Sequence, residues 1–113
     1  MRITGGQVFD LEQGFVSRDV CFDGEKLELS SAGGKTYDAS GCYVIPGLTD
    51  LHFHGCVGED FSDGNPAGMQ PMANYYAAHG VTSFLATTMT LKEETLTPAM
   101  HTIRDFKRQG GAN

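Results

Sequence analysis

The stretch Thr49-Asp50-Leu51-His52-Phe53-His54-Gly55 gathers the residues of this chain best suited to chemistry. Side chains alternate between the two faces of a strand, so Asp50, His52 and His54 are expected on one face and Thr49, Leu51 and Phe53 on the other. Two imidazoles then lie side by side. Neutral imidazole nitrogens ligate zinc at about 2.0–2.1 Å, and a His-x-His pair on a strand can converge on one divalent transition ion. Two ligands are too few to complete a site. The competing reading, a pair of structural histidines bonded to backbone carbonyls, carries about equal weight on spacing alone. Asp50, lower on the same face, is either an orienting group for the histidines or a buried salt-bridge partner.

Other candidates read more simply. Cys56 continues the two-residue spacing, but Gly55 and Gly58 end the strand, and a buried inert thiol is the expected role. His79 and His101 have no second ligand nearby and read as packing or surface residues. Gly33-Gly34-Lys35-Thr36 has the tail of a phosphate loop, yet Leu29 stands where the motif's first glycine belongs. Met72, Tyr75 and Tyr76 read as core, and Thr87 and Thr88 either face a site or pack beneath one.

The elements that must position the histidines follow from pattern. After Pro46-Gly47 the sequence predicts a strand over 48–54, a Gly- and Asp-rich loop over 55–68, and a helix over 69–79 with Met72, Tyr75, Tyr76 and His79 at helical spacing. Gly80 is placed to end that helix, and a second strand follows over 81–87. Leu96, Met100, Ile103 and Phe106 mark the apolar stripe of a second helix. Thr90 to Glu93 has the form of a capping box, but a helix begun there would hold Pro98 in its interior at a cost of about 3 kcal/mol. A start at Thr95 or Thr97 avoids that cost. The order β-α-β-α has crossovers long enough for parallel strands, whose C-terminal ends are where such folds place ligands.

Residues 1 to about 45 read instead as a small β-layer: strands over 2–9 and 15–22, a hairpin turn at Asp23-Gly24, a return strand from Lys26 to Leu29, a polar loop over 30–35, and strand character from Thr36 to Ile45 interrupted at Ser40-Gly41. The 15 glycines in 113 residues, nearly double the usual ~7%, fit many tight turns. A net charge of −6 argues against sequence-independent nucleic-acid binding, which needs clustered Lys and Arg. No apolar run approaches the roughly 20 residues of a membrane span. Three cysteines without CxxC spacing fit free thiols in a reducing compartment, and a cytoplasmic chain is expected.

From Val44 to Gly55 the sequence resembles the first barrel strand of the amidohydrolase superfamily, whose members open with a PGxxDxHxH phrase. Gly58 to Asp63 and His79-Gly80-Val81-Thr82-Ser83-Phe84-Leu85-Ala86-Thr87-Thr88 are similar to one branch, the N-acetylglucosamine-6-phosphate deacetylases. The second phrase discriminates better, since dihydroorotases, allantoinases and cytosine deaminases share the first but are less similar in the second. The resemblance implies an α/β chain: the first β-α-β-α portion of a TIM (β/α)8 barrel over residues 46–113, preceded over residues 1–45 by the N-terminal part of a small β-sandwich domain. It implies a metal-dependent hydrolase that removes acetate from N-acetylglucosamine 6-phosphate to leave glucosamine 6-phosphate. His52 and His54 carry over as ligands of a divalent metal, zinc foremost, with Fe, Mn or Co as alternatives.

The family also supplies a Glu from the third strand, two later His and a catalytic Asp, none of which these 113 residues contain, and a whole barrel takes about 250 residues. An N-terminal fragment or truncated product, inactive alone, is therefore expected. Two alternatives stand beside it: another amidohydrolase branch, such as a dihydroorotase-like cyclic amidase, and a non-catalytic module that self-associates through unpaired strand edges. The expected partners are a small amino-sugar phosphate and further copies of the chain in a homo-oligomer, with neither nucleic acid nor membrane. Arg104, Lys107 and Arg108 lie on a helix that would cover a barrel, so they read as a solvated face and the phosphate site is expected elsewhere.

Overall fold

A computed structural model describes residues 1–24, 26–28 and 33–111. The chain divides into two compact units, Met1–Pro46 and Gly47–Asn113.

The described residues of the first unit form seven short strands: β1 (Arg2–Thr4), β2 (Gln7–Asp10), β3 (Gly14–Ser17), β4 (Val20–Asp23), β5 (Lys26–Glu28), β6 (Thr36–Asp38) and β7 (Tyr43–Val44). They form two sheets, ordered β5-β4-β1-β6 and β3-β2-β7. Each of the two long strands expected near the N-terminus is thus a pair of short ones. The chain leaves one sheet for the other at Gly5-Gly6 and again at Arg18-Asp19. Gly5 makes the first crossing feasible: its φ is 75°, and a Cβ there would lie 2.6 Å from Ser40 Oγ. Pairing is antiparallel for β1/β4, β4/β5 and β2/β3 but parallel for β1/β6 and β2/β7. The turn expected at Asp23-Gly24 is present, with Asp23 opposite Lys26 and Gly24 at φ 58°. Leu29, the last residue of the expected return strand, and residues 30–32 of the expected loop lie outside the described residues.

In the second unit β8 (Leu48–Phe53) pairs in parallel with β9 (Val81–Ala86), and α1 (Pro66–Ala78) connects them. Within the long loop a 3₁₀ turn spans Phe61–Asp63, and α1 begins three residues earlier than periodicity predicts. Asn65 explains the early start, since its side chain accepts from the Ala67 N–H and Pro66 follows in the first turn. Gly80, with φ 81°, closes the helix end as expected.

The second helix, α2, runs Glu93–Arg108 from Lys92 as cap, so it starts before the expected Thr95 or Thr97, Pro98 does lie inside it, and no side chain caps its first turn. Proline is the sixth residue of both helices, Pro71 in α1 and Pro98 in α2. The carbonyls each one deprives of a partner belong to Ala67 and Glu94, both exposed residues in the first turn of their helix. The buried side of α2 is centred on Ala99, with Ile103 and Phe106 packed on the core, while Met100 is half exposed. The Thr102 hydroxyl donates to the Gly64 carbonyl at 3.1 Å, tying α2 to the loop after β8.

Phe53, Phe61, Met69 and Met72 form the core of this unit, joined by Cys56, Tyr76, Phe84, Ala86, Ile103 and Phe106. Phe53 packs edge-on to Phe61 at 5.3 Å and to Phe84 at 5.2 Å, and stacks on Tyr76 at 3.8 Å. The same strand end that carries the histidines is thereby locked into the core. No helix among the described residues is long and apolar enough to cross a membrane.

Candidate metal site

His52 is the penultimate residue of β8, and His54 follows the strand's end. Their rings meet: His52 Nε2 lies 3.0 Å from His54 Nε2, with centroids 4.9 Å apart and planes at 64°. Two imidazoles bound to one ion at about 2.0–2.1 Å, at angles between square and tetrahedral, would hold their nitrogens about 2.9–3.4 Å apart. The pair fits a shared ion on that measure. The same distance fits an N–H···N hydrogen bond in which one ring donates to the other. Among the described residues no group of three or more His, Cys, Asp and Glu side chains gathers to hold a metal ion, so the pair supplies two ligands.

His54 is fixed from several sides. Its carbonyl accepts from the Phe61 N–H at 2.9 Å, and the neighbouring Phe53 carbonyl accepts from the Thr87 N–H at 2.8 Å. Its Nδ1 is buried with no hydrogen-bond partner among the described residues. A buried ring nitrogen left unpaired is costly, and it marks the side of the imidazole where a ligating histidine is ordinarily supported. Burial pushes the Asp60 carboxyl up, but hydrogen bonds from Ser62 and the neighbouring His54 outweigh that and leave it below the usual carboxylate range.

Asp50 is placed differently from the expectation of strict alternation. Opposite β9 it pairs with Phe84 while Phe53 pairs with Ala86, so three steps along β8 match two along β9. The irregularity sends Asp50 to the helix side along with Phe53, and its Oδ2 accepts from the Tyr76 hydroxyl of α1 at 2.6 Å. Its Oδ1 accepts from the His52 N–H at 3.0 Å. Among the described residues Asp50 makes no ion pair, and these two contacts are to a phenol hydroxyl and a backbone N–H. The Tyr76 hydroxyl and the His52 N–H together hold the Asp50 carboxyl below its ordinary range. Burial and donation to Asp50 push Tyr76 up to about 12. Leu51, expected to share a face with the buried Phe53, is 70% exposed, which also follows from the broken alternation.

Tyr76 was legible only as a core position. The signal for more was its hydroxyl, since a tyrosine in an apolar stripe needs a polar partner. Cys56 lies against the core with Sγ 3.9 Å from the Met72 carbonyl, and burial pushes its thiol up, as befits an inert packing residue. His79 and His101 are exposed. Thr87 turns its hydroxyl back to the Leu85 carbonyl at 3.2 Å. Arg104, Lys107 and Arg108 are exposed on α2.

The loop after His54 is tightly drawn. A Cβ at Gly55 would overlap the Glu59 carbonyl oxygen and come within 2.7 Å of Asp60 Cα. Val57 takes φ 51°, an unusual conformation for a β-branched residue and one that tends to occur at functional sites. The Ser62 hydroxyl accepts from the Met89 N–H at 2.8 Å, joining this loop to the segment after β9.

No family model matches the chain. Among curated proteins it is 36% identical over 67 residues to the N-acetylglucosamine-6-phosphate deacetylase of Vibrio furnissii, covering 59% of this chain and 17% of the relative. It is 40% identical over 62 residues to a 5-methylthioadenosine/S-adenosylhomocysteine deaminase of Natronomonas pharaonis, covering 50% and 14%. A dihydroorotase of Trichlorobacter lovleyi is 42% identical over 59 residues, covering 46% and 14%. The chain thus spans less than a fifth of the length of these relatives. In fold it matches the crystal structure of N-acetylglucosamine-6-phosphate deacetylase from Pasteurella multocida with a TM-score of 0.84 at 21% identity, covering 96% of this chain and 30% of that one. The Thermotoga maritima deacetylase structure matches with a TM-score of 0.72 at 24% identity, covering 99% and 30%. Sequence and fold together make this chain similar to a segment of an N-acetylglucosamine-6-phosphate deacetylase.

Proposed function

We propose that these residues belong to a metal-dependent amide hydrolase that removes acetate from N-acetylglucosamine 6-phosphate, and that His52 and His54 are two of its metal ligands. The observation that carries this reading is the approach of the two Nε2 atoms to 3.0 Å at the C-terminal end of a parallel strand. When bound, a divalent ion, zinc foremost and Fe, Mn or Co otherwise, supplies polarisation of the amide carbonyl and activation of water. The chain's own part is to present two neutral imidazoles from one backbone segment and to hold them against a packed aromatic core.

In this reading residues 46–113 are the first β/α units of a TIM-type barrel and residues 1–45 part of a small β-sandwich domain. The remaining ligands, the proton-shuttling carboxylate and the cationic groups for the phosphate come from outside these residues, in a cytoplasmic homo-oligomer. The 113-residue chain alone then binds zinc weakly and releases no acetate. Calorimetric titration with zinc chloride tests the ligand pair: His52→Ala removes most of the binding, and equal uptake by the variant and the unaltered chain would sink the assignment.

The similarity to a dihydroorotase and to a deaminase favours a second reading, another amidohydrolase branch acting on a different bond. A longer protein carrying this sequence, assayed side by side on N-acetylglucosamine 6-phosphate and on cyclic amides, separates the two by which substrate is turned over.

A further inference from the structure

We propose that Tyr76 and Asp50 are positioning residues that aim His52 at His54, an inference that rests on reading the two histidines as metal ligands. An unbroken strand would set side chains two apart in parallel along one face. Here β8 carries one more residue than β9 between the pairs Asp50/Phe84 and Phe53/Ala86. An extra residue of this kind bends a strand and re-aims the side chains around it, a device common beside active sites. His52 lies inside the irregular stretch and His54 just past it.

The register of β8 against β9 shifts between Asp50 and Phe53, so the regular ladder does not by itself fix the direction of the side chains between them. Side-chain contacts hold this stretch in series. The Tyr76 ring is fixed by stacking on Phe53 at 3.8 Å and by Phe84, edge-on at 5.8 Å. Its hydroxyl donates to Asp50 Oδ2 at 2.6 Å, which fixes the carboxylate, and Asp50 Oδ1 accepts the His52 N–H at 3.0 Å, which fixes the histidine backbone. A rigid core position is thereby transmitted through one phenol and one carboxylate to the backbone that carries the His52 imidazole. His54 gets its own anchor from the Phe61 N–H.

The test uses the full 113-residue chain with zinc chloride as probe. Tyr76→Phe keeps the stacked ring and removes one oxygen, so it leaves the fold in place while cutting the series at its middle. We expect it to lower zinc affinity by about tenfold, the range seen when groups that orient metal ligands are removed. Hydrogen exchange at the His52 amide, read by NMR without metal, should quicken in the same variant. Asp50→Asn keeps an acceptor oxygen for the His52 N–H and should lose less affinity than Asp50→Ala; if the alanine variant fails to fold, the asparagine and phenylalanine variants decide. His52→Ala separates the two layers of the reading. Wild-type affinity and wild-type His52 exchange in Tyr76→Phe, with binding abolished in His52→Ala, would overturn the positioning role and leave the ligand pair standing. Undiminished zinc uptake in His52→Ala would remove the ligand pair itself, and the positioning role with it.

Discussion

The two units solve the same problem, keeping short strands in place, by different means. Among the described residues of Met1–Pro46 only Val8 and Cys21 are buried apolar residues, and the seven strands described there, of two to four residues, are held largely by backbone pairing. Polar contacts supplement that pairing: Asp10 accepts from the Glu12 and Gln13 N–H groups, Arg18 pairs with Asp10, Arg2 pairs with Asp19, and Asp38 accepts from Ser40. In Gly47–Asn113 two strands suffice because Phe53, Phe61, Met69 and Met72 pack beneath them, three of these at 1% exposure or less. Directional surface contacts set register cheaply but contribute little each, whereas a closed aromatic and methionine core penalises any displacement. The candidate site stands on the second kind of support.

That contrast can be broken by substitution. Phe61→Ala empties a site at 1% exposure and should destabilise its unit by about 3–5 kcal/mol, while Val8→Ala should cost only about 1.5 kcal/mol in the other. Amide exchange under mild denaturant, read separately for the two units, gives both numbers, and equal losses would erase the distinction. Next in size, Gly55→Ala forces a Cβ onto the Glu59–Asp60 backbone and should cost about 1–3 kcal/mol, with the shift felt at His54. Loss of the close His52–His54 ring contact by NMR checks it; an unchanged contact with unchanged stability would show that the loop yields freely.

The smallest effect is one of pH. Hydrogen bonds from the Ser40 hydroxyl and N–H hold Asp38 below the ordinary carboxylate range, so this contact stabilises the folded form above about pH 4 and fades as pH falls through the lower folded value. Asp38→Asn should flatten the acid dependence of exchange at the Ser40 amide and leave residues 47–111 unaffected. An identical acid profile in the variant would show that the turn does not depend on the carboxylate.

The β-α-β-α order, the turn at Asp23-Gly24 and the end of the first helix at Gly80 are legible in the sequence, because each rests on local chemistry: apolar period, positive φ, a missing Cβ. The strands of the first unit are shorter than the pattern predicts. The crossings at Gly5-Gly6 and Arg18-Asp19 depend on which distant strand is available to pair, and β1 takes β6, more than thirty residues away. The second helix begins at Glu93, earlier than Thr95 or Thr97, because packing of its face around Ala99, Ile103 and Phe106 offsets the cost of an interior Pro98, and that packing is a tertiary fact. His52 and His54 were legible as a pair through their two-residue spacing. Asp50 was placed on the wrong side, because one extra residue in β8 shifts a face and leaves no mark in composition.

By itself, then, the sequence determined which side chains are available and their local spacing: two imidazoles two residues apart near the end of a strand, two apolar helical stripes, and an acidic chain whose basic residues gather at 104–108. Tertiary structure alone decided that the two Nε2 atoms meet at 3.0 Å and that a tyrosine read as core reaches back to the carboxylate before them. The physical reason is one of range. Periodicity and turn preference act over a few residues, whereas the contact of Tyr76 with Asp50 spans twenty-six positions and exists only because Phe53 and Phe84 pack the α1 ring against the strand.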